Sequence, residues 1–155
     1  MILIANPRRL LVPMLLCFAF TLSGQSRSTK PVLAQKIVND AHAKHPEASE
    51  IGIAVVGLHG CSTIASTDKG DIGEKCETED SAPIRTGKPH VGKEGKNFDV
   101  TMPLHDESGK TVGSVGIELA PKSGETQTDV VKRGQTIAKE MESAIPSKSS
   151  LTEPF

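Results

Sequence analysis

Alternating apolar and polar residues predict a β-hairpin between residues 98 and 119. Every second residue is apolar: Phe98, Val100, Met102 and Leu104 in the first strand, and Val115, Ile117 and Leu119 in the second. A period of two places these side chains on one face of each strand. Residues 106–109, between the two runs, supply the turn. One face of the hairpin is therefore apolar, and the opposite face is small and polar.

Helical periodicity predicts an amphipathic helix near each end of the chain. Leu33, Ile37 and Ala41 recur every four residues after Pro31, and this first helix is expected to end near residues 45–46. A second apolar stripe predicts a helix over residues 126–145. Because this stripe is narrow, the helix could either dock on the domain or pair with a second copy of the chain. Residues 146–155 are Ser-rich and are predicted to form a disordered tail.

Two strands and a long loop lie between the first helix and the hairpin. Residues 51–56 are apolar on both faces, which is typical of a central strand, and residues 61–66 predict a second strand. Residues 67–96 lose the periodicity, apart from a short helical turn near 78–84 and a short strand at 90–92. This order predicts an α+β domain, with an antiparallel sheet and helices segregated to one face.

The N-terminal residues have the pattern of a secretory signal peptide. Arg8 and Arg9 precede an apolar run over residues 10–22, and small or polar residues follow at 23–26. The run is too short for a membrane span and contains Pro13, and Cys17 lacks the small preceding residue typical of lipid attachment. We therefore expect residues 1–25 to be removed, leaving a periplasmic or secreted protein without a stable membrane span.

Composition narrows the classes of partner. The 155 residues carry 18 basic and 19 acidic side chains, with no Trp and no Tyr. The absence of a basic block and of stacking aromatics excludes a typical nucleic-acid-binding surface. Two cysteines follow the predicted cleavage site, Cys61 and Cys76, and in an oxidising compartment we expect them to form a disulfide worth about 3 kcal/mol. The alternative is two separate thiols.

Several short motifs follow one another between residues 65 and 116. They are Ala-Ser-Thr-Asp at 65–68, Gly-Asp-Ile-Gly at 70–73, Thr-Gly-Lys-Pro at 86–89, Pro-Leu-His-Asp at 103–106 and Gly-Lys-Thr-Val-Gly-Ser-Val-Gly at 109–116. In this order they resemble the Cache family, the extracellular PAS-like sensor domains of bacterial receptors, over residues 28–120. The resemblance implies a single-domain secreted form, with an N-terminal helix on one face of a sheet. It also implies that, across the other face, the long loop covers a pocket for small ligands such as carboxylates or amino acids.

Cationic residues cluster in this loop and suggest what the pocket binds. The cluster comprises Arg85, Lys88, His90, Lys93 and Lys96. A guanidinium binds a carboxylate through two parallel hydrogen bonds, and Lys supplies a point charge. We therefore expect an anion pocket with Arg85, Lys88 and His90 as ligand-binding residues, and with Thr101 and Ser114 on its floor. The alternative is a charged loop that is simply solvated.

No pattern in the sequence predicts catalysis, a cofactor or a metal site. Ser114 lies in Gly-Ser-Val-Gly, which lacks the spacing of a nucleophile elbow, and His42 and His45 have no third metal ligand beside them. We predict an exported, non-enzymatic sensor-type domain that binds a small metabolite, with an anion as the expected class, and signals to an envelope protein. The alternative is a structural or interaction module without a ligand, which dimerises through its C-terminal helix.

Overall fold

The computed structural model describes residues 32–153, so the predicted signal peptide lies outside the described residues. The elements in chain order are α1 (Leu33–Lys44), β1 (Ala48–Gly57), β2 (Gly60–Ser66), α2 (Thr78–Thr86), β3 (His90–Glu94), β4 (Asn97–His105), β5 (Thr111–Leu119), α3 (Gln127–Glu142) and a final 3-10 turn (Ser149–Thr152). Within this range, no helix combines the length and the apolar character needed to cross a membrane.

The five strands form one antiparallel sheet in the order β2-β1-β5-β4-β3. The predicted α+β class and the predicted hairpin, β4 and β5, are confirmed. The turn between these two strands forms because the Asp106 side chain accepts hydrogen bonds from the backbone N–H groups of Ser108 and Lys110, at 2.9 and 3.1 Å. Gly109 follows in the left-handed conformation, with φ 81°.

The hydrophobic core lies between one face of the sheet and helices α1 and α3. Its largest fully buried side chains include Ile51, Ile53, Leu104, Ile117 and Leu119. Helix α3 approaches β4 closely at Gly134, where a Cβ atom would lie 2.9 Å from Val100 Cγ1. The apolar stripe of α3 is thus buried inside this domain. That packing removes the surface on which the predicted alternative, dimerisation through this helix, depended.

The C-terminal residues are packed against the same core. Leu151, in the 3-10 turn, is 0% exposed, and the Leu33 backbone N–H donates to the Glu153 carbonyl at 3.0 Å. The prediction of a disordered tail is therefore wrong over residues 146–153. The single apolar side chain among these serines, that of Leu151, anchors the segment because it is buried beside α1.

The opposite face of the sheet is covered by α2 and by the loop that precedes it. Helix α2 contacts β3, β4 and β5, so the prediction of helices on one face holds for α1 and α3 and fails for α2. The loop folds back along the edge of β2. There the Thr63 backbone N–H donates to the Glu74 carbonyl at 3.0 Å, and the Gly73 N–H donates to the Thr63 carbonyl at 2.9 Å. The Cys61–Cys76 disulfide, with Cα atoms 5.3 Å apart, closes this fold-back and confirms the predicted bridge.

Candidate functional site

A cleft of about 420 Å³ lies between the second face of the sheet and the loop that leads into α2. This volume is within the range of small-molecule sites. Eight of its fourteen lining residues are acidic and one, Lys75, is basic. The acidic residues are Glu50, Asp71, Glu74, Glu77, Asp80, Glu94, Asp99 and Glu118. The cleft is therefore strongly acidic.

Three of these carboxylates form a row across the centre of the sheet. The strand register pairs Glu50 on β1 with Glu118 on β5, and Glu118 with Asp99 on β4. All three project away from the core, because their sequence neighbours Ile51, Ile117 and Val100 fill it. Like charges at directly opposed positions destabilise a sheet. We call this set the acidic row.

A second row, next to the first, contains the two glycines of the cleft floor. Gly52 on β1 is paired with Gly116 on β5, and Ser66 and Thr101 flank them on β2 and β4. Cβ atoms at Gly52 and Gly116 would come no closer than 3.7 and 3.8 Å to other atoms. Packing therefore does not require glycine at either position. Because glycine has no side chain, these two residues keep the cleft floor open, even though glycine inside a strand weakens the strand.

Two buried hydroxyl groups on this face have unsatisfied hydrogen-bonding capacity. Thr101 is 0% and Ser114 is 1% exposed, and neither Oγ atom has a hydrogen-bond partner among residues 32–153. The Thr101 hydroxyl lies near enough to Asp99 to favour its ionised form, yet outside normal hydrogen-bond geometry. Ser114 is paired with Ala54, which lines the cleft. Buried polar groups without partners are uncommon in folded proteins and call for an explanation.

Burial and the crowding of carboxyl groups raise two pKa values in the cleft. Burial, the neighbouring Asp71 and the charge of Glu118 raise the pKa of Glu50 to about 7. Burial and the charges of Asp80 and Glu94 raise the pKa of Asp99 to about 6, although His90 acts in the opposite direction. Both groups therefore hold protons at a pH where an exposed carboxyl group is ionised.

Hydrogen bonds fix the cleft wall where β2 ends. The Ser66 hydroxyl donates to Asp71 Oδ2 at 3.1 Å and accepts from the Asp68 backbone N–H at 3.0 Å. From the other side of the sheet, the Gln35 side chain of α1 donates to the Ser66 carbonyl at 2.9 Å. Glu118 is also held in place, by Ser49 and Asn97, at 2.7 and 2.8 Å. The wall and one end of the floor are thus rigidly positioned.

The residues predicted to bind an anion are only partly brought together. Thr101 and Ser114 lie on the same face of the sheet as the floor, but both are buried and neither lines the cleft. Arg85 and Lys88 are exposed at the end of α2 and just after it, and neither lines the cleft. His90 is half-buried at the start of β3, opposite Thr101. None of these three cations lines the cleft, which is lined by carboxylates instead, although His90 lies near enough to Asp99 to act on its pKa.

The acidic row is the feature that the sequence analysis missed. Asp99 and Glu118 both fell on the polar side of the predicted hairpin, so their common face could be inferred. Glu50, just before the apolar strand, joins them only through the register of β1 against β5. In the part of the chain that the structure describes, no group of three or more potential ligands is arranged to hold a metal ion.

Structural comparison places the fold among known domains. The GAF domain of a phosphoenolpyruvate-protein phosphotransferase from Acinetobacter shares 11% identity, with a TM-score of 0.53, over 81% of this chain and 89% of its own. The GAF-B domain of DevS from Mycobacterium smegmatis shares 10% identity, with a TM-score of 0.52, over 72% and 89%. No protein-family model matches the sequence, and no curated protein matches it significantly. The chain has a GAF/PAS-like α+β fold.

Proposed function

We propose that this protein is an exported, non-enzymatic sensor-type domain that binds a small ligand in the acidic cleft. The observation that carries the proposal is the cleft floor. Two paired glycines leave this surface without side chains, although there is room for a Cβ atom at both positions. A ligand in the cleft would occupy the space above these glycines.

Export and membership of the Cache family form part of the same proposal. The signal-peptide pattern of residues 1–25 and the Cys61–Cys76 disulfide both favour an oxidising compartment outside the cytosol. The order of the short motifs over residues 28–120 favours the Cache branch of PAS-like domains. In such a protein, the occupied cleft would signal to an envelope partner through α2 and its loop, which cover the ligand.

The anionic ligand expected from the sequence is not retained. An anion in the cleft would face eight carboxylates and would meet only Lys75 as a counter-charge. Arg85 and Lys88 are exposed outside the cleft, as the alternative of a solvated charged loop predicted. Thr101 and Ser114 do not line the cleft either, and we propose the floor at Gly52 and Gly116 as the surface that the ligand contacts.

A ligand screen with a variant of the floor tests the proposal. The purified protein would be mixed with carboxylates, amino acids, amines and purines at millimolar concentration, and its melting temperature recorded. A ligand at 100 times its dissociation constant stabilises by about 2.7 kcal/mol, which raises the melting temperature by several degrees. We expect at least one such shift, and we expect Gly116→Val to remove it, because valine methyl groups would occupy the floor.

The matched control is Gly92→Val. Gly92 lies on β3, on the same face of the sheet, but does not line the cleft, and a Cβ atom there would lie 4.0 Å from Asp99 Cβ. This variant should retain the ligand-induced shift. A panel without any shift, or a shift that survives in Gly116→Val, would contradict the proposed function.

A further inference from the structure

The chain covers the two edges of its sheet unequally. The loop before α2 folds back over the edge of β2, where it bonds to the Thr63 backbone and is tied by the Cys61–Cys76 disulfide. At the opposite edge, β3 pairs with β4 alone, and no other hydrogen bond reaches the backbone of β3 among residues 32–153. An uncovered edge presents N–H and C=O groups to which another strand can add. β3 is therefore the edge at which this sheet can be extended.

The turn between β3 and β4 determines which backbone groups of β3 point outward. Only two residues separate Glu94 from Asn97, so these two form the hydrogen-bonded pair that closes the hairpin. Hydrogen-bonded pairs alternate with non-bonded pairs along an antiparallel ladder. The N–H and C=O groups of Val91 and Lys93 therefore point away from β4, at the open edge.

One register lets a second copy of β3 use all of these groups. When two copies run antiparallel about a twofold axis at Gly92, Val91 of each faces Lys93 of the other, and each such pair exchanges two hydrogen bonds. An axis at Val91 would instead bring Pro89, which has no N–H, opposite Lys93. An axis at Lys93 would oppose two lysines, which is unfavourable. The sequence of β3 is thus self-complementary in a single register.

The side chains of β3 fit the same register. On the face of the sheet that carries the cleft, His90 of each copy would lie opposite Glu94 of the other, as a hydrogen-bonding pair that gains opposite charges when the histidine is protonated. On the core face, the Lys93 stem would lie beside Val91, with its ammonium group in water. Lysine on an edge strand usually discourages pairing, but in this register it faces an apolar side chain and not another cation.

Apolar surface beside the open edge remains partly exposed. Val91 packs against the core without being fully buried, and so does Phe98, which is opposite Lys93 on β4. A strand added to β3 would extend the sheet beside both side chains. Part of this apolar surface would then be removed from water, which favours association.

We propose that the protein forms a symmetric dimer through β3, in which the two sheets join into one. The twofold axis at Gly92 is perpendicular to the sheet, so both clefts open on the same side. Glu94 lines the cleft, and each copy therefore places His90 at the rim of the other copy's cleft. A homodimer, which the sequence analysis considered for the C-terminal helix, thus forms at the open edge of the sheet instead.

Sedimentation velocity of the purified protein, from micromolar to millimolar concentration, tests the dimer. We expect the sedimentation coefficient to rise with concentration from the value of the monomer to that of the dimer. Lys93→Pro removes an N–H that the β3–β4 ladder does not use, so the variant should fold and its dissociation constant should rise at least about tenfold. Lys93→Ala, the matched control, keeps the N–H and should change the dissociation constant less than about threefold. Circular dichroism checks that both variants fold.

A cysteine at the twofold axis tests the register. Residues at the axis have Cα atoms about 4.5 Å apart, within the range of a disulfide, and a Cβ atom at Gly92 would meet nothing closer than 4.0 Å. Gly92→Cys should therefore form a covalent dimer under mild oxidation, which a non-reducing gel detects. Lys93→Cys, one residue away and more exposed, should not.

The possible outcomes decide the inference without involving a ligand. A protein that stays monomeric at every concentration would overturn the dimer. A dimer unaffected by Lys93→Pro, or cross-linking as efficient in Lys93→Cys as in Gly92→Cys, would show that another surface or register is used and would also overturn it. None of these results bears on the proposed function, which the ligand screen with Gly116→Val tests separately.

Discussion

The sheet packs α1 and α3 against one face and α2 with its loop against the other, and the two faces differ in kind. On the first face, apolar side chains such as Ile51, Ile53 and Ile117 are fully buried against the two longer helices. On the second face, the three carboxylates of the acidic row lie side by side on neighbouring strands, and two hydroxyl groups are buried without partners among residues 32–153. One face stabilises the fold, which allows the other to hold an arrangement of like charges that is unfavourable by itself.

Substitution of the apolar face should have the largest effect on stability. Ile117→Ala removes a fully buried side chain from the centre of the core and should lower the free energy of unfolding by about 2–5 kcal/mol. Glu118→Gln, at the next residue, alters the opposite face and keeps the shape of the side chain. It should change stability by less than about 1 kcal/mol. Urea denaturation of both variants checks the comparison, and similar losses would contradict it.

The disulfide provides stability that the second face cannot obtain from apolar packing. Replacing both Cys61 and Cys76 by Ser should lower the free energy of unfolding by about 3 kcal/mol, because the closed loop constrains the unfolded chain. Thermal denaturation with and without a reducing agent measures this loss. Reduction should destabilise the natural protein by a similar amount and leave the double variant unchanged. Equal sensitivity of both proteins would show that the bridge does not contribute.

These two regions also differ in how well the sequence predicts them. The apolar face follows from local periodicity, since every second residue of β4 and β5, and every third or fourth residue of α3, faces the core. The Cys61–Cys76 bridge was likewise expected, because the sequence predicts an oxidising compartment and leaves two cysteines after the cleavage site. Such features depend on residues that are close in sequence, or on the composition of the whole chain.

The cleft depends instead on contacts between distant residues. Glu50 and Glu118 become neighbours only through the β1–β5 register, which no local pattern contains. The loop cations are close together in sequence, yet Arg85 and Lys88, at the end of α2 and just after it, are exposed, whereas Glu77 and Asp80 at its start line the cleft. The burial of Leu151 was missed for the same reason, because its pocket is made by elements more than a hundred residues earlier.

Two serines on the second face allow a smaller and sharper test of the comparison. Ser66 and Ser114 are both 1% exposed, but the hydroxyl of Ser66 has two hydrogen-bond partners and that of Ser114 has none. Ser114→Ala should therefore raise the free energy of unfolding by about 1 kcal/mol, because it removes a buried unsatisfied group. Ser66→Ala should lower it by a similar amount. Urea denaturation of both variants decides, and destabilisation by Ser114→Ala would show that its hydroxyl is satisfied.

The smallest effect concerns the protons of the acidic row. The pKa of Glu50 is about 7 in the folded protein against an ordinary value of 4.5, so the folded state binds more protons than the unfolded state between these values. Stability should consequently fall as the pH rises from about 4.5 to 7, and the raised pKa of Asp99 acts in the same direction up to about pH 6. After allowance for solvent screening, we expect a loss of about 1 kcal/mol between pH 5 and pH 8.

The variant Glu50→Gln isolates this contribution, because it keeps the shape of the side chain and removes its titration. Urea denaturation at pH 5 and pH 8 should show that the variant matches the natural protein at the lower pH, where Glu50 is largely protonated, and exceeds its stability at the higher pH. Glu107→Gln, in the exposed β4–β5 turn, should leave the pH dependence unchanged. A variant that is less stable than the natural protein at pH 8 would mean that the ionised Glu50 is stabilised by the fold. The second face would then resemble the first in favouring stability, and the acidic row would need no ligand to explain it.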